Sequence, residues 1–495
     1  MPTLTIDGRS VTVDNGTNLI LAAERVGVEI PHFCYHPALK IVASCRMCFV
    51  DVTQEVRGKP VTRLVTTCNT PATDGMIVNT QTDAVRKAQN DILEFLLINH
   101  PVDCPVCDQA GECYLQDYTF RYGRPSSRFS ELKRFKHAKE LGAGIRLYTN
   151  RCILCDRCVR FLRDYVGTGE LTVTGMGNAA EVSTAPGVPI DNKLATNVVD
   201  LCPVGALLTE DFLFKARVWN LKPIPSICPG CARGCNTYLD VMYNEVQRTR
   251  PRENPAVNGH FMCDPGRFTY HVIRHPDRLE APAMRNGEAL EEAPWDAAMA
   301  TAADALRQAG RDAIVLVSTY LTKEELVAAK EFAGALGAPI AFIPNTDRWA
   351  RETYPGGFVI EADRSPNTAA ATEIIGRTID EVEIDGTTPA VCVVNSSIDP
   401  AGIAAAHLEK IRRAQFVAAV DVLKGPLAQE ADVALAGRTW AEKRGTFVNS
   451  QGHAQRFLPA LLGPVGSRDE RDILRELARL VSAAGEVAES AGATT

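Results

Sequence analysis

The stretch Asn150–Phe161, NRCILCDRCVRF, carries the most specific pattern in the chain. It places Cys152, Cys155 and Cys158 at two-residue gaps. Cys202, followed directly by a proline, comes later in the chain. Thiolates at this spacing are typical of three ligands of a [4Fe-4S] cluster, with the cysteine before proline as the fourth. Zinc rarely takes three cysteines so close in sequence, because a tetrahedral site is hard to wrap from them. We therefore expect these four cysteines to hold one [4Fe-4S] cluster.

A group of four cysteines lies nearer the start of the chain and follows a strand, turn, strand and helix pattern. Its members are Cys34, Cys45, Cys48 and Cys68. Alternating apolar residues predict a hairpin over residues 3–13 that turns at Asp7-Gly8, followed by a helix over residues 18–26. The group resembles the plant-type ferredoxin module, a β-grasp fold that holds a [2Fe-2S] cluster, although its first gap is ten residues instead of four. A structural zinc site with four thiolates is the alternative.

Another group combines one histidine with three cysteines in the order H-x3-C-x2-C-x5-C, directly after a helical pattern over residues 84–98. Its members are His100, Cys104, Cys107 and Cys113. Taken alone, three thiolates and one imidazole are a common structural zinc combination. A histidine at the end of a helix is usually only a capping or surface residue, and a ligand from outside the group could replace it.

The last group reads C-x2-C-x3-C-x27-C and consists of Cys228, Cys231, Cys235 and Cys263. It resembles the small iron-sulfur domain that opens molybdopterin oxidoreductases. A zinc ribbon is the alternative, but gaps of two and then three make a triplet plus one instead of two pairs. That spacing favours a [4Fe-4S] cluster.

The four groups account for almost every cysteine of the chain. In chain order we name them the first, second, third and fourth sets. Fifteen of the sixteen cysteines lie before residue 264, and with His100 they supply sixteen ligands. Cys392 remains, and its apolar surroundings predict a buried strand residue that behaves as a small hydrophobe. The N-terminus shows no pattern of a secretory signal or transit peptide, so we expect a reducing cytoplasm, where grouped cysteines more often bind metal than form disulfides.

Length and charge exclude several other classes. The chain has 495 residues, 45% of them hydrophobic and 23% charged, which is the composition of a multidomain globular protein. Its net charge of -7 gives no electrostatic reason to bind nucleic acid. The apolar runs are shorter than the 18 or so residues that a membrane helix needs.

The order of the sets resembles the family of large iron-sulfur subunits of NADH-quinone oxidoreductase, the G subunits of respiratory complex I. The motifs that carry the resemblance over residues 1 to about 215 are PHFCYHPAL, SCRMC, HPVDCPVCDQAGEC, NRCILCDRCVRF and NVVDLCPVGAL. The resemblance implies that His100 is an iron ligand of the second set. It implies one [2Fe-2S] cluster in the first set and a [4Fe-4S] cluster in each of the others, the fourth being present in only some members of the family.

The remaining residues resemble a shortened, degenerate molybdopterin-oxidoreductase core. Helical and strand patterns alternate over residues 295–343 and again over 391–422, and Thr322 with Glu325 makes a capping box, so we expect a parallel α/β sheet. The segment TWAEKRGTFVNSQGHAQR, which starts at Thr439, resembles the family segment that ends such a domain. Too few residues follow Cys263 for an active molybdenum enzyme, so no molybdopterin is expected.

We therefore expect a multidomain α+β and α/β protein. Its parts are a β-grasp [2Fe-2S] ferredoxin module (1–80), a helical segment with the one-histidine, three-cysteine site (81–140), a [4Fe-4S] ferredoxin-like domain (141–218), a small [4Fe-4S] domain (219–275), the degenerate α/β domain (276–480) and a flexible tail (481–495).

The resemblance implies an electron-transfer subunit in the peripheral arm of NADH:quinone oxidoreductase, with no complete active site and no catalytic residue on this chain. It implies partners that bind NADH and FMN, a two-cluster ferredoxin-like subunit and quinone-site subunits, on the cytoplasmic face of the inner or plasma membrane. Ion translocation would belong to membrane subunits. An electron-transfer (diaphorase-type) subunit of a soluble NAD-linked hydrogenase or formate dehydrogenase is the nearest alternative. A catalytic molybdopterin enzyme and a multi-zinc scaffold are more distant ones.

Overall fold

The computed structural model describes residues 1–345 and 349–492. The chain divides into two compact units. Unit 1 comprises residues 1–221 and 354–357, and unit 2 comprises residues 222–353 and the chain from 358 onward. Nowhere in the described residues is a helix both long and apolar enough to cross a membrane.

Unit 1 contains ten strands and five helices. The strands are β1 (Thr3–Ile6), β2 (Arg9–Thr12), β3 (Phe49–Val56), β4 (Lys59–Thr66), β5 (Ile77–Asn79), β6 (Ala138–Gly142), β7 (Ile145–Tyr148), β8 (Leu171–Thr174), β9 (Glu181–Thr184) and β10 (Leu207–Thr209). The helices are α1 (Leu19–Arg25), α2 (Asp83–Leu97), α3 (Tyr114–Tyr122), α4 (Arg157–Arg160) and α5 (Asn197–Leu201).

A five-stranded sheet in the order β2-β1-β5-β3-β4 opens unit 1. The predicted hairpin is confirmed, because β1 and β2 pair antiparallel and turn at Asp7 and Gly8, both with positive φ. Strand β5 then pairs parallel to β1. Leu4 and Ile6 point into the core that α1 covers, so the alternation in the sequence does mark the buried face. This is the β-grasp arrangement expected for the first set.

The rest of unit 1 is built from short elements. Helix α2 begins after Thr82, whose hydroxyl oxygen accepts a hydrogen bond from the Val85 amide at 3.2 Å. Strands β10, β7 and β6 form a three-stranded antiparallel sheet, and β8 pairs with β9. Helix α4 continues directly into a six-residue π-helical segment, Phe161–Val166. Long loops between these elements carry the second and third sets.

The described residues of unit 2 form fourteen strands and seven helices. The strands are β11 (Lys222–Ile227), β12 (Asn236–Met242), β13 (Glu245–Pro251), β14 (Ala283–Asn286), β15 (Ala289–Glu292), β16 (Ile314–Ser318), β17 (Ile340–Ile343), β18 (Glu352–Thr353), β19 (Val359–Ile360), β20 (Val391–Val394), β21 (Val417–Asp421), β22 (Val433–Ala436), β23 (Gly445–Val448) and β24 (Ala454–Phe457). The helices are α6 (Asp264–Arg267), α7 (Trp295–Ala309), α8 (Lys323–Leu336), α9 (Thr368–Ile374), α10 (Ala405–Ile411), α11 (Pro426–Glu430) and α12 (Glu470–Gly492).

The predicted parallel sheet is confirmed as the core of unit 2. Its seven strands run in the order β15-β14-β22-β21-β20-β16-β17, and β22 through β17 pair in parallel. One face packs against α7, α8 and α12. The other face packs against α10 and α11. A parallel sheet needs this cover on both faces, which explains why its strands are continuously apolar.

The end of the chain differs from the expectation. We expect a flexible tail over residues 481–495, but α12 continues to Gly492. The alanines and glutamates of this stretch have high helix propensity, so a small and polar composition is compatible with a helix that extends a packed one. Residues 493–495 of the predicted tail lie outside the described residues.

Candidate metal centres

All sixteen cysteines are free thiols, and fifteen of them lie in the four predicted sets. The first three sets belong to unit 1 and the fourth belongs to unit 2. In each set, loops between short helices and strands carry most of the sulfur atoms.

The first set lies in the loops beside the five-stranded sheet. The Phe33 and Cys34 amides both point at the sulfur of Cys45, at 3.4 Å. Ala43 and Arg46 have positive φ, which bends the chain tightly around this sulfur. Cys68 lies in a single 3-10 turn. The structure brings all four predicted residues together, since it joins the thiols of three pairs by hydrogen bonds: Cys34 with Cys45, Cys34 with Cys68, and Cys48 with Cys68.

Proximity of the four thiols changes their acidity. Hydrogen bonds from Cys45 and Cys68 hold the pKa of Cys34 far below its usual range. The hydrogen bond from Cys68 lowers the pKa of Cys48 to about 6. Cys45 and Cys68, as the donors in these pairs, have raised pKa values. Two of the four sulfurs thus favour the thiolate form even without a metal, and thiolates are the form that binds iron.

Two members of the second set lie beside a half-buried ion pair between Arg151 and Asp103. Arg151 donates to the Asp103 carboxylate from Nη2 at 2.7 Å and from Nε at 3.1 Å. Charges of both residues act on His100 and on Cys107, which places the histidine and the cysteine beside the same ion pair. Burial lowers the pKa of His100 to about 4, so the imidazole is neutral at physiological pH. A neutral imidazole has a free lone pair for a metal.

Close backbone packing also marks the second set. The carbonyl of Cys107 accepts a hydrogen bond from Arg217 at 2.8 Å. A Cβ atom added at Gly205 would lie 2.2 Å from the sulfur of Cys107, so any side chain there would displace this sulfur. The Tyr114 amide, next to Cys113, donates to the carbonyl of Pro203 at 3.0 Å. The residues after Cys202 therefore pack directly against the second set.

The third set lines one small cavity. All four of its cysteines contribute to the wall, and the rest is mainly apolar, with Leu147, Val182 and Leu207 among the lining residues. Leu154 and Asp156 have positive φ, so the loop turns sharply between the cysteines. Burial raises the pKa of Cys152 to about 11 and that of Cys155 to about 12. In so dry a cavity a thiolate needs a positive partner, and bound iron would supply one.

The fourth set is fully buried in unit 2. The Cys228 amide donates to the carbonyl of Cys235 at 2.8 Å, which closes the loop that holds Cys231. Cys263 caps α6, and its sulfur accepts a hydrogen bond from the Gly266 amide at 3.4 Å. A Cβ at Gly266 would lie 2.9 Å from the sulfur of Cys228, so this glycine permits close packing of the two loops.

The sulfur spacing bears on the choice between zinc and a cluster. Four thiolates around one zinc ion stand about 3.8 Å apart, given Zn–S bonds of about 2.3 Å in a tetrahedron. Across the described residues, no three ligand atoms of the cysteine and histidine sets lie within 4.8 Å of one another. In the first set three pairs of thiols are hydrogen-bonded, so the spacing bears on this choice only in the other three sets. Their ligands stand farther apart than a single tetrahedral ion requires, and the spacing suits a group in which several irons and sulfides separate the thiolates.

Several residues that shape the four sites could not be identified from the spacing of the ligands in the sequence. Gly205 and Gly266 touch sulfur atoms, and the buried side chains of Arg157 and Arg160 reach between the loops of the first and third sets. Their partners are far away in sequence, so no local pattern marks them. The two arginines do lie inside the stretch NRCILCDRCVRF, where unusual basic residues next to ligands are a usable signal.

Unit 2 also contains a buried acidic group, Glu325, Asp469 and Glu470. Lys443 lies among these carboxylates, 2.7 Å from Glu325 Oε1 and 2.8 Å from Glu470 Oε2. The ammonium group already supplies the positive charge, so this group is an ion-pair network and not a metal site.

Comparison with protein families gives five matches along the chain. They are the 2Fe-2S iron-sulfur cluster binding domain (1–83), the NADH-ubiquinone oxidoreductase-G iron-sulfur binding region (89–128), the ferredoxin-like domain of NADH-quinone oxidoreductase subunit 3 (142–208), the molybdopterin oxidoreductase Fe4S4 domain (221–275) and molybdopterin oxidoreductase (386–480). These matches confirm the predicted fold class, including a partial molybdopterin-oxidoreductase domain.

Individual relatives match over about two-thirds of the chain. The G subunit of NADH-quinone oxidoreductase from Rickettsia conorii is 40% identical over 322 residues, which is 65% of this chain and 47% of the relative. The mitochondrial NADH-ubiquinone oxidoreductase 78 kDa subunit of Neurospora crassa is 41% identical over 340 residues, which is 68% of this chain and 45% of the relative. The chain thus spans about half the length of the curated relatives it matches.

A solved structure also matches in part. The NAD+-reducing [NiFe]-hydrogenase in the H2-reduced state is 31% identical, over 44% of this chain and 91% of that chain, with a TM-score of 0.39. A score this low supports no argument about fold or function.

Proposed function

Over two-thirds of its length the chain belongs to the family of NADH-quinone oxidoreductase G subunits, and on that premise we propose that it is an iron-sulfur electron-transfer subunit of NADH:quinone oxidoreductase. Its role is to relay electrons from an NADH- and FMN-binding subunit towards quinone. We propose that its activity is that of a subunit within a larger enzyme, whose NADH and quinone sites lie on partner subunits.

One observation carries the proposal: fifteen of sixteen cysteines, together with His100, lie in four largely buried sets. We assign the first set one [2Fe-2S] cluster and each other set one [4Fe-4S] cluster. The ligands are Cys34, Cys45, Cys48 and Cys68; His100, Cys104, Cys107 and Cys113; Cys152, Cys155, Cys158 and Cys202; and Cys228, Cys231, Cys235 and Cys263. When bound, such clusters take up and release single electrons with little change in geometry.

The protein's own contribution is to hold the ligands and to control their surroundings. Amide groups point at the sulfurs of Cys45 and Cys263, and hydrogen bonds to sulfur are one means of tuning a cluster's potential. Burial of the third and fourth sets excludes water and keeps the local dielectric constant low. The contact between Tyr114 and Pro203 joins the ligand loops of the second and third sets through one hydrogen bond.

The partners follow from the same premise. We propose that the chain assembles with the NADH/FMN-binding subunit, a two-cluster ferredoxin-like subunit and the quinone-site subunits. It would lie peripherally on the cytoplasmic face of the inner or plasma membrane, with ion translocation left to membrane subunits. Nucleic acid is not expected as a partner, and the partial molybdopterin-oxidoreductase domain is proposed to act as a scaffold without molybdopterin.

Metal and sulfide analysis tests this proposal. The full chain would be purified anaerobically and separated from its partner subunits, whose own clusters would add iron, and iron, zinc, molybdenum and acid-labile sulfide would be measured per chain. One [2Fe-2S] and three [4Fe-4S] clusters require about fourteen irons with equal sulfide. About four zinc ions without sulfide would contradict the proposal. Co-purifying membrane subunits would separate it from the alternative, a diaphorase-type subunit of a soluble NAD-linked hydrogenase or formate dehydrogenase.

A further inference from the structure

Two arginines lie between the loops of the first and third sets. Arg157 and Arg160 form the two ends of α4, shortly after Cys155. Their exposed fractions are only 5% and 2%, and Arg160 is among the largest fully buried side chains of the protein. Charged side chains are rarely buried so completely unless they have a partner.

Both guanidinium groups donate to carbonyls next to proposed ligands. Arg157 donates to Leu201, which precedes Cys202, at 3.2 Å, and to Tyr35, which follows Cys34, at 2.5 Å. Arg160 donates to the carbonyl of Cys34 itself at 2.5 Å. The two side chains therefore hold ligand loops of two different sets in one arrangement.

The two arginines differ in their balance of charge. Arg160 has the Asp156 carboxylate 3.7 Å away. For Arg157, the described residues offer no carboxylate oxygen within 4.0 Å, and its Nε has no hydrogen-bond partner. The ring of Tyr114 lies below it at 5.8 Å. Carbonyl dipoles satisfy part of the guanidinium, but a buried cation without an anion is strongly unfavourable.

The negative charge that would balance Arg157 can be supplied at the third set. The guanidinium of Arg157 donates to the carbonyl of Leu201, the residue before Cys202. Burial raises the pKa of Cys155 and of Cys202, and the charge of Arg157 acts on both thiols in the opposite direction. Arg157 also lines the cavity of the third set. Four thiolates around an iron-sulfur core carry net negative charge, and that charge would fall directly beside the guanidinium.

We propose that Arg157 is a positioning residue that supplies the counter-charge of the third set's cluster and ties its ligand loop to that of the first set. The inference rests on the proposed function, because it requires a cluster in the third set. Reduction adds one electron to that cluster and so one negative charge. A buried cation beside it favours the reduced form, which means that Arg157 raises the midpoint potential.

A redox titration of charge variants tests the assignment. Arg157→Gln keeps an amide that can donate to a carbonyl but removes the charge, whereas Arg157→Lys keeps the charge and loses the forked contact. Arg163→Gln is the matched control, because Arg163 lies on the adjoining turn but is 57% exposed and paired with Asp164 at 2.9 Å. The anaerobically purified complex would be titrated with dithionite, and the paramagnetic signal of the third set's cluster followed.

We expect Arg157→Gln to reduce the ratio of reduced to oxidised cluster about tenfold at the wild-type midpoint, which is about 59 mV for one electron. Arg157→Lys should stay within about threefold of wild type, and Arg163→Gln should not differ from it. An unchanged potential in Arg157→Gln would overturn the proposal, and so would an equal shift in Arg157→Lys.

Loss of iron from the variants is equally informative. If Arg157→Gln loses the third set's irons while Arg157→Lys retains them, the counter-charge is supported. If both lose them alike, only packing matters and the proposal is wrong. A wild-type chain without labile sulfide would instead contradict the proposed function itself, so the two failures can be told apart.

Discussion

At the scale of single residues, glycines next to sulfur control the proposed cluster sites as much as the ligands do. Gly205 has no positive φ, so its backbone conformation is open to alanine and only space forbids the substitution. The methyl group would lie 2.2 Å from the sulfur of Cys107. A sulfur bound to iron cannot move away as a free side chain can.

We therefore expect Gly205→Ala to displace Cys107 and to remove about four irons, with at least roughly tenfold loss of NADH-quinone turnover. Iron analysis and turnover of the anaerobic complex measure this. Gly334→Ala is the control, because nothing lies within 4 Å of a Cβ in that exposed helical position. It should keep all irons and stabilise helix α8 by about 0.5–1 kcal/mol. A fully loaded, active Gly205→Ala variant would show that the second set is not assembled as proposed.

Cys392 offers the opposite test, since it is the one cysteine left outside the sets. It is fully buried in β20, an inner strand of the seven-stranded sheet. Replacement by alanine removes only one buried sulfur, so we expect a loss of about 1 kcal/mol in the free energy of unfolding, similar to deletion of a buried methylene. Iron and sulfide should remain at wild-type values in Cys392→Ala. Cys231→Ala, by comparison, should lose about four irons.

The sequence predicts ligands much better than it predicts their surroundings. The gaps between Cys152, Cys155 and Cys158 are local, so spacing alone identifies them as a group. The hydrogen bond from Arg157 to Tyr35 joins residues 122 apart in the chain, and the contact of Gly205 with Cys107 is similarly distant. No local sequence pattern predicts such contacts, because they form only when the domains of unit 1 pack together.

At the scale of helices and strands, apolar periodicity and capping residues are sufficient for most of unit 2. The capping box of Thr322 and Glu325 is present, with the Thr322 amide donating to Glu325 at 2.7 Å. The strand and helix pattern from Trp295 onward is confirmed. Composition alone does not indicate the helix over residues 481–492, because it cannot distinguish a flexible tail from the extension of a helix whose first turns pack on the sheet.

Lys443 joins three elements of unit 2: the start of α8, the start of α12 and the turn before β23. Burial raises the pKa of Glu325. Burial acts on Glu470 in the same direction, but the charge of Lys443 outweighs it and holds the pKa of Glu470 below its usual range. One lysine thus balances one ionised glutamate, and both side chains are almost completely buried.

Removing this lysine should be costly. We expect Lys443→Met to lower the free energy of unfolding of unit 2 by about 3–5 kcal/mol, because it leaves a buried carboxylate without a partner. Thermal unfolding of the loaded chain measures the loss. Lys424→Met, at an exposed position, should change stability by less than about 0.5 kcal/mol. Equal effects of the two substitutions would show that the network contributes little.

At the scale of the whole molecule, the ligand sets are divided unequally between the two units. Unit 1 contains the first three sets, and hydrogen bonds link their loops to one another. Unit 2 contains the fourth set, whose first three cysteines lie between β11 and β12 and whose last, Cys263, caps helix α6. On the family resemblance we propose that the second and third sets carry the main electron flow, that the first set lies beside it, and that the fourth mainly stabilises the fold of unit 2.

Two serine substitutions separate these roles. Cys155→Ser removes a ligand in the middle of the linked sets, so we expect it to abolish NADH-quinone turnover in assembled complexes. Cys228→Ser should lose about four irons and lower the unfolding temperature of the chain, because it empties a buried site, while most of the turnover remains. Iron content, thermal unfolding and turnover would be measured on the same anaerobic preparations, so that only folded and assembled complexes are compared.

Equal loss of turnover in both variants would mean that the fourth set is also part of the electron path. Unchanged stability in Cys228→Ser would instead remove the reason to regard that set as structural.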